Sequence, residues 1–479
     1  MTRRDFLGGM LASAGLSGCA FARGFGGASR LSFGVVSDIH VTTPESTRIF
    51  RAALRYFRGR GADAVMVAGD LSDWGLRSGF RFVKTAWDEE MAGTDVVPLF
   101  ITGNHDYEGW RYGDMTLDMH VQGYSEDDAL ERHDMGKCWE ETFGEPFAPI
   151  RRRTVKGFDF VSTEWYNVKR PGADDATVAW LKAHPELAKS GRPFFFFRHN
   201  PLSGTVSSSI GRPGSDALTK ALSAFPNCVA FNGHTHWALT DERSVWQGGF
   251  TALSVPSLIY TSLPKGYENG KDVRNGKSTR DMDPLPSREN LEEAQGYFVT
   301  VYDDRIEVER RDFTLGMEAA EPWVIPCGDR AARPYDPDVR AKQAAVPQFA
   351  DGAKLRTRTM NSALRNGQWA IFVALEFPTA DATRGRAFDY EVRVVSESDG
   401  KVLVSKRYLS SAFYRPADCE PELQRFRVNA NDLPETGRYR IAVVPRNSFG
   451  GEGRPLFSGV FESKPGKARA RRADGQWYI

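Results

Sequence analysis

The chain has 479 residues, room for two or three domains at about 150 residues each. Hydrophobic residues make up 41% and charged residues 26%, the balance of a soluble globular protein with a sizeable core. A formal net charge of +1 leaves no electrostatic case for a nucleic-acid binder or for a strongly acidic or basic interaction protein.

The N-terminus is unlike the rest. Thr2-Arg3-Arg4-Asp5-Phe6-Leu7 resembles a twin-arginine export signal. The Gly/Ala-rich stretch from Leu7 to Ala22 is too short and too weakly apolar to span a membrane. Leu16-Ser17-Gly18-Cys19 resembles a bacterial lipobox, in which the cysteine becomes a lipidated first residue, and Ala20-Phe21-Ala22 offers a competing cleavage site. Residues 1–28 are therefore expected to be an export signal or flexible end. The protein is expected in the periplasm or cell envelope, with membrane attachment through Cys19.

From Leu31 onward, short apolar runs alternate with polar clusters and amphipathic stretches. Strands are expected at Leu31–Ser37, Ala64–Ala68, Val96–Ile101, Pro193–Phe197 and Cys228–Phe231. A helix is expected over Pro44–Phe57, with its proline near the start. Each strand runs into a polar cluster: Asp38, Gly69-Asp70, Gly103-Asn104-His105-Asp106, His199, and Gly233-His234-Thr235-His236. In α/β sheets the carboxyl ends of strands are where sites are built. Tyr107–Thr154 reads as an insertion and Lys265–Glu293 as a surface loop, while Tyr297–Asp303 and Arg305–Arg310 read as a hairpin. Residues 29–328 thus form one expected domain, followed by a linker rich in Ala, Pro and charge at 329–353.

Residues 354–463 change character. Short alternating strands at Trp369–Phe377, Tyr390–Ser396, Val402–Leu409, Arg425–Asn429 and Tyr439–Pro445 predict a β-sandwich. Gly437–Val443 followed by Asn447-Ser448-Phe449-Gly450 resembles the end of a fibronectin type III module. Residues 464–479 are a basic tail. Cys138, Cys228, Cys327 and Cys419 show no CxxC spacing and read as free thiols.

Of eight histidines, His40, His105, His199, His234 and His236 sit at expected strand ends beside Asp, Asn or Gly. Mixed imidazole and carboxylate donors suit Mn, Fe or Zn, whereas an all-oxygen set would favour Mg or Ca. Asp38-x-His40 and His234-x-His236 would each place two side chains on one side of an extended strand end. Gly69, Gly103 and Gly233 would permit the tight turns that bring these groups together.

Asp38-Ile39-His40, Gly69-Asp70, Gly103-Asn104-His105-Asp106, His199 before Asn200-Pro201, and Gly233-His234-Thr235-His236, in that order, resemble the calcineurin-like metallophosphoesterases over roughly residues 31–315. The resemblance implies an α/β fold of two sheets packed face to face and flanked by helices, with the metals at the strand ends; the smaller all-β sandwich read from residues 354–463 follows it. The resemblance implies two divalent or trivalent transition metal ions. Asp38, His40, Asp70 and His236 would hold one, and Asp70, Asn104, His199 and His234 the other, with Asp70 bridging. It implies hydrolysis of a phosphomonoester or phosphodiester by a metal-bridged hydroxide. His105 would approach the leaving-group oxygen as general acid, with Asp106 orienting its ring. The purple acid phosphatase branch has a tyrosine three positions after the bridging aspartate. Here that position is Asp73, expected to support a ligand from behind or to cap the loop.

Trp74, Tyr107, Trp110 and Trp237 follow the motif blocks and are candidates for a leaving-group wall or for loop packing. Arg198 and Arg212 are candidates for phosphate contact. The rival to an enzyme is a surface lipoprotein that binds carbohydrate or protein, with the metal domain as scaffold.

Overall fold

The computed structural model describes residues 27–107, 135–165, 174–210, 215–264, 266–269, 293–328, 332–363, 369–381, 385–434 and 436–463. The expected export signal with Cys19, the stretch holding Trp110, Arg212 and the basic tail lie outside the described residues. No described helix is long and apolar enough to cross a membrane.

Twelve strands build the first domain: β1 Leu31–Val36, β2 Ala64–Ala68, β3 Val97–Ile101, β4 Ile150–Val155, β5 Phe158–Thr163, β6 Phe194–Arg198, β7 Cys228–Asn232, β8 Val245–Gln247, β9 Thr251–Ser254, β10 Gln295–Val301, β11 Arg305–Asp312 and β12 Met317–Pro326. They form two six-stranded sheets, ordered β12-β11-β10-β1-β2-β3 and β4-β5-β6-β7-β9-β8. The strands that lead into the polar clusters pair in parallel: β1, β2 and β3 in one sheet, β6 and β7 in the other.

Both faces of each sheet are buried, which is why these strands read as unbroken apolar runs. In β6, Phe195 and Phe197 point into the core between the sheets, against Phe33, Phe160 and Phe231. Phe194 and Phe196 point outward, against α4 (Asp175–Ala183), α5 (Glu186–Lys189) and α6 (Asp216–Leu222). The other sheet is covered by α1 (Arg48–Gly59), α2 (Arg77–Glu90) and α3 (Met135–Phe143) through Phe50, Phe57, Phe80, Trp87 and Trp139. A polar bond also joins the sheets: Tyr297 of β10, fully buried, donates its hydroxyl proton to the Ser254 carbonyl of β9 at 2.6 Å.

Two expectations need correction. Tyr107–Thr154 is not simply an insertion, because α3 lies on the core and β4 is the edge strand of the second sheet. The run Ile-Arg-Arg-Arg-Thr-Val hides that strand, since its arginines pair with Glu145, Asp159, Glu164 and Glu186. Lys265–Glu293 is not all surface loop, as Tyr267 and Asn269 are only 5% and 6% exposed. The linker is docked. It carries α7 (Pro337–Gln343), capped by the Asp336 carboxylate, and Arg340 pairs with Glu242.

The second domain is a smaller β-sandwich. Its three-stranded sheet is β13-β14-β17 (Arg356–Ala363, Trp369–Pro378, Leu423–Asn429). Its five-stranded sheet has β15 (Asp389–Ser396) and β18 (Gly437–Arg446) at the centre, β16 (Val402–Leu409) beside β15, and β19 (Leu456–Phe457) and β20 (Phe461–Ser463) beside β18. Leu375, Phe377 and Phe426 meet Tyr390, Val392 and Ile441 in its core. Cys138, Cys228, Cys327 and Cys419 are free thiols.

Removing the Tyr297 hydroxyl leaves a buried carbonyl short of its partner. Tyr297→Phe is expected to destabilise the fold by about 1–3 kcal/mol, read as a lower urea midpoint at unchanged slope.

Candidate metal centre

The loops after β1, β2, β3, β6 and β7 meet at one edge of the two facing sheets. Backbone pairing continues past the strands: Asp38 N–H bonds the Gly69 carbonyl, His40 N–H that of Asp70, and Val41 N–H that of Leu71, all at 2.9–3.0 Å. Among the described residues, six non-glycine residues have positive φ. Five of them are Asp38 (52°), His40 (44°), Asp70 (51°), His234 (70°) and His236 (50°). Each costs about 1–3 kcal/mol, and such strain persists only where surrounding structure enforces it. This corrects the expected extended strand ends: Asp38 with His40, and His234 with His236, share a side through left-handed backbone rather than through the pleat.

The motif glycines are needed for close approach. A Cβ on Gly69 would lie 2.4 Å from the His199 ring, one on Gly103 2.1 Å from Asp70 Oδ1, and one on Gly233 2.0 Å from Ser37 Oγ. Gly69 is also in the left-handed region, at φ 96°. The other two are there because neighbouring loops touch them, not to make a turn.

Both buried aspartates spend one oxygen on the backbone and turn the other inward. Asp38 Oδ2 accepts from His234 N–H and Asp70 Oδ1 from His105 N–H, each at 2.9 Å. Asp38 Oδ1 has no hydrogen-bond partner among the described residues; it faces His236 Nε2 at 3.1 Å and His40 Nε2 at 3.8 Å. Asp70 Oδ2 lies 3.6 Å from His40 Nε2 and 3.2 Å from His199 Nε2, so it belongs to both halves of the site. Asn104 Oδ1 lies 3.0 Å from His199 Nε2 and 2.8 Å from His234 Nδ1. Asp38, His40 and His236 form one cluster of donors within 4.8 Å of one another, and Asp70, His199 and His234 another. His40, Asp70 and His105 also fall within that limit.

This donor set fits a pair of transition ions. Imidazole nitrogens face each other at 3.2 and 3.3 Å around two carboxylates, with one buried oxygen unsatisfied. Mixed nitrogen and oxygen donors are what such ions take. Burial alone would raise Asp38, but the facing His236 and His199 outweigh it and hold the carboxyl well below its usual range. Burial alone would lower His199, but Asp70 and Asp38 push it up to about 9, and Asp38, Asp73 and Asp70 likewise raise His40. The negative field that draws protons onto these rings is the field that would hold a cation in their place.

Asn104, His105 and His234 are partly exposed and form the open rim. His105 Nδ1 donates to the Asp73 carbonyl at 2.9 Å and lies 3.2 Å from Asp73 Oδ1. Burial opposes protonation of His105, but Asp73 and Asp70 raise it to about 9. The same Asp73 carboxylate holds His40 Nδ1 at 2.8 Å. The expectation that Asp106 orients His105 is therefore corrected. The Asp106 carboxylate, fully buried, accepts from the N–H groups of Leu71, Ser72 and Gly103, at 2.7–3.1 Å, and ties two loops together. Burial and Asp70 push it up to about 7 against those bonds.

Other candidates sit elsewhere. Arg198 is buried and paired with Asp174 at 2.9 Å, so it is not a phosphate contact. Tyr107 packs on Trp165, and Trp237 packs on Phe413 of the sandwich. Trp74 is exposed. The site also includes Tyr260, whose ring lies 4.1 Å from that of His236. It follows no motif block and carries no local signal.

Residues 31–238 match the calcineurin-like phosphoesterase family, and the chain carries a calcineurin-like metallophosphoesterase domain. Metal-dependent phosphoester hydrolysis is the class of chemistry that match supports. Comparison with curated proteins finds no match. Among solved structures, the chain is similar to a dimetal phosphatase from Danio rerio, at 12% identity over 63% of this chain and 100% of that one, TM-score 0.37. It is also similar to the anchor in the inner membrane complex of Plasmodium, at 12% identity over 62% and 89%, TM-score 0.37. A purple acid phosphatase from yellow lupin (Lupinus luteus) seeds shares 12% identity over 62% of this chain and 53% of its own, TM-score 0.39. Likenesses of this size bear on neither reaction nor substrate.

Asp73→Asn removes the charge that raises His105. In the metal-free protein its pKa is expected to fall from about 9 toward the ordinary imidazole value near 6.5, followed by NMR titration. Asp106→Asn is expected to leave that titration closer to wild type.

Proposed function

We propose that the calcineurin-like domain hydrolyses a phosphomonoester or phosphodiester at a two-metal centre held by Asp38, His40, Asp70, Asn104, His199, His234 and His236. One observation carries this reading: four imidazoles and the Asn104 carbonyl converge on the inward oxygens of Asp38 and Asp70. Mn, Fe or Zn ions there would polarise the phosphoryl oxygens and bring the pKa of a bound water to near 7. Asp70 touches both halves and offsets the repulsion between two cations. Asp38 and Asp70, nearly fully buried, keep their charge inside protein rather than in water, where it acts most strongly.

His105 is the residue with a proton to give. Its Nδ1 is committed to Asp73, so the proton exchanged with substrate sits on Nε2. Its side chain is 33% exposed, open to an incoming ester, and the Asp73 carboxylate favours the charged ring. Transfer to the leaving oxygen leaves a neutral imidazole that water reprotonates. All seven donors are retained, which favours this reading over that of a binding scaffold.

The same reading takes the chain through the twin-arginine route to the periplasm or cell envelope, anchored at Cys19, with a fibronectin type III-like sandwich. Its support is the N-terminal and C-terminal patterns alone. Intact-mass measurement of the mature protein is expected to find a lipidated Cys19 as first residue; an unprocessed Met1 would contradict export.

Protein loaded with Mn, Fe or Zn is expected to hydrolyse an aryl phosphate or bis-aryl phosphate, and no turnover with any of them would sink the reading. Asn104→Ala is expected to lose metal and activity together. His105→Ala is expected to keep its metals yet slow esters of poor leaving groups by about 10²–10⁴. An unchanged rate would remove the acid role.

A further inference from the structure

His236 is held differently from the histidines around it. His40 Nδ1 is tied to Asp73 Oδ1 at 2.8 Å and His199 Nδ1 to the Ala68 carbonyl at 2.9 Å. Among the described residues no group hydrogen-bonds the buried Nδ1 of His236. A metal-facing histidine ordinarily has its second nitrogen fixed by an acceptor. Here the ring is met by the Tyr260 ring at 4.1 Å, and the His236 carbonyl accepts from Ser262 N–H at 2.7 Å.

The segment carrying Tyr260 and Ser262 is fastened at both ends. On the site side, the Ser257 hydroxyl donates to the Asp38 carbonyl at 3.0 Å and Leu258 N–H to the Ser37 carbonyl at 3.2 Å. On the other side it is sewn to the sandwich. Glu268 N–H donates to the Arg407 carbonyl at 2.8 Å, and the Asn269 amide exchanges two bonds with the Leu409 backbone at 2.8 and 2.9 Å. The Tyr267 hydroxyl donates to Asp389 at 3.0 Å. A second link starts next to His236. Trp237 packs on Phe413 with ring centres 5.4 Å apart, and the Thr240 hydroxyl donates to the Phe413 carbonyl. Ala238, Tyr267, Phe388, Leu409, Phe413 and Tyr414 share one buried cluster across the two domains.

We propose that the C-terminal sandwich is a positioning element of the metal centre, setting the His236 ring through Tyr260 and Trp237 where the neighbouring histidines use a hydrogen bond. The proposal rests on the two-metal reading above. It makes the site asymmetric: the sandwich supports the Asp38–His40–His236 half, while the Asp70–His199–His234 half is held from within the first domain.

Cobalt(II) titration of the metal-free full-length protein, followed by visible absorption, tests this without assaying turnover. Wild type is expected to take two equivalents. In Tyr260→Leu, Asn269→Ala and Phe413→Ala, one equivalent is expected to bind about tenfold more weakly or worse, with the other unchanged. Tyr260→Phe, which keeps the ring, is expected to restore wild-type binding. Where Phe413→Ala does not fold, Tyr260→Leu and Asn269→Ala carry the test. Unchanged binding in all three variants, or equal weakening of both equivalents, would overturn the positioning role. Failure of wild type to bind cobalt is a different result, and would overturn the metal centre itself.

Discussion

Asp38 and Asp70 lie side by side at the ends of parallel strands, 0% and 2% exposed, and each raises the cost of ionising the other. Buried charge of one sign has to be answered by charge of the other. The histidines around them do this, which is why His40 and His199 are driven toward the charged form and both carboxyls are held low. Much of the local structure follows from bringing those rings to the carboxylates: five left-handed residues, three glycines pressed against neighbouring loops, and Asp106 spending its carboxylate on three backbone N–H groups. A pair of metal ions would meet the same demand with fewer protons and leave His105, at the rim, as the group with a proton to give.

The rest of the fold supports that edge. Stacking two sheets, each buried on both faces, puts the ends of β1, β2 and β3 opposite those of β6 and β7. The second domain is part of the same arrangement. Its strand β16 bonds Glu268 and Asn269 in the segment after Tyr260, Phe413 packs on Trp237 next to His236, and the docked linker holds Glu242 through Arg340. The cleft between the domains, lined by Glu242, Arg310, Arg340 and Arg386, lies away from the histidines, and these arginines are already paired with Glu242 or Glu420.

The strands and the seven converging residues were legible because each apolar run ends on its polar cluster, and those clusters are local. What lay between clusters was not. The resemblance implies Asp106 as the partner of the His105 ring, but its carboxylate is spent on backbone N–H groups and the partner is Asp73 from the neighbouring loop. β4 was masked by arginines that pair with acids from elsewhere in the fold. β12, interrupted by Pro322 and by a register slip against β11, shows no clean alternation. β13 is a polar edge strand. Tyr260 carries no motif, and what marks it is the His236 ring it faces.

The central claim is that one site holds two ions sharing Asp70. Anomalous scattering from crystals of the manganese-loaded protein tests it most directly. Two peaks are predicted, one against Asp38, His40 and His236, the other against Asn104, His199 and His234, both within reach of Asp70. A single peak, or metal placed away from these residues, would contradict the account.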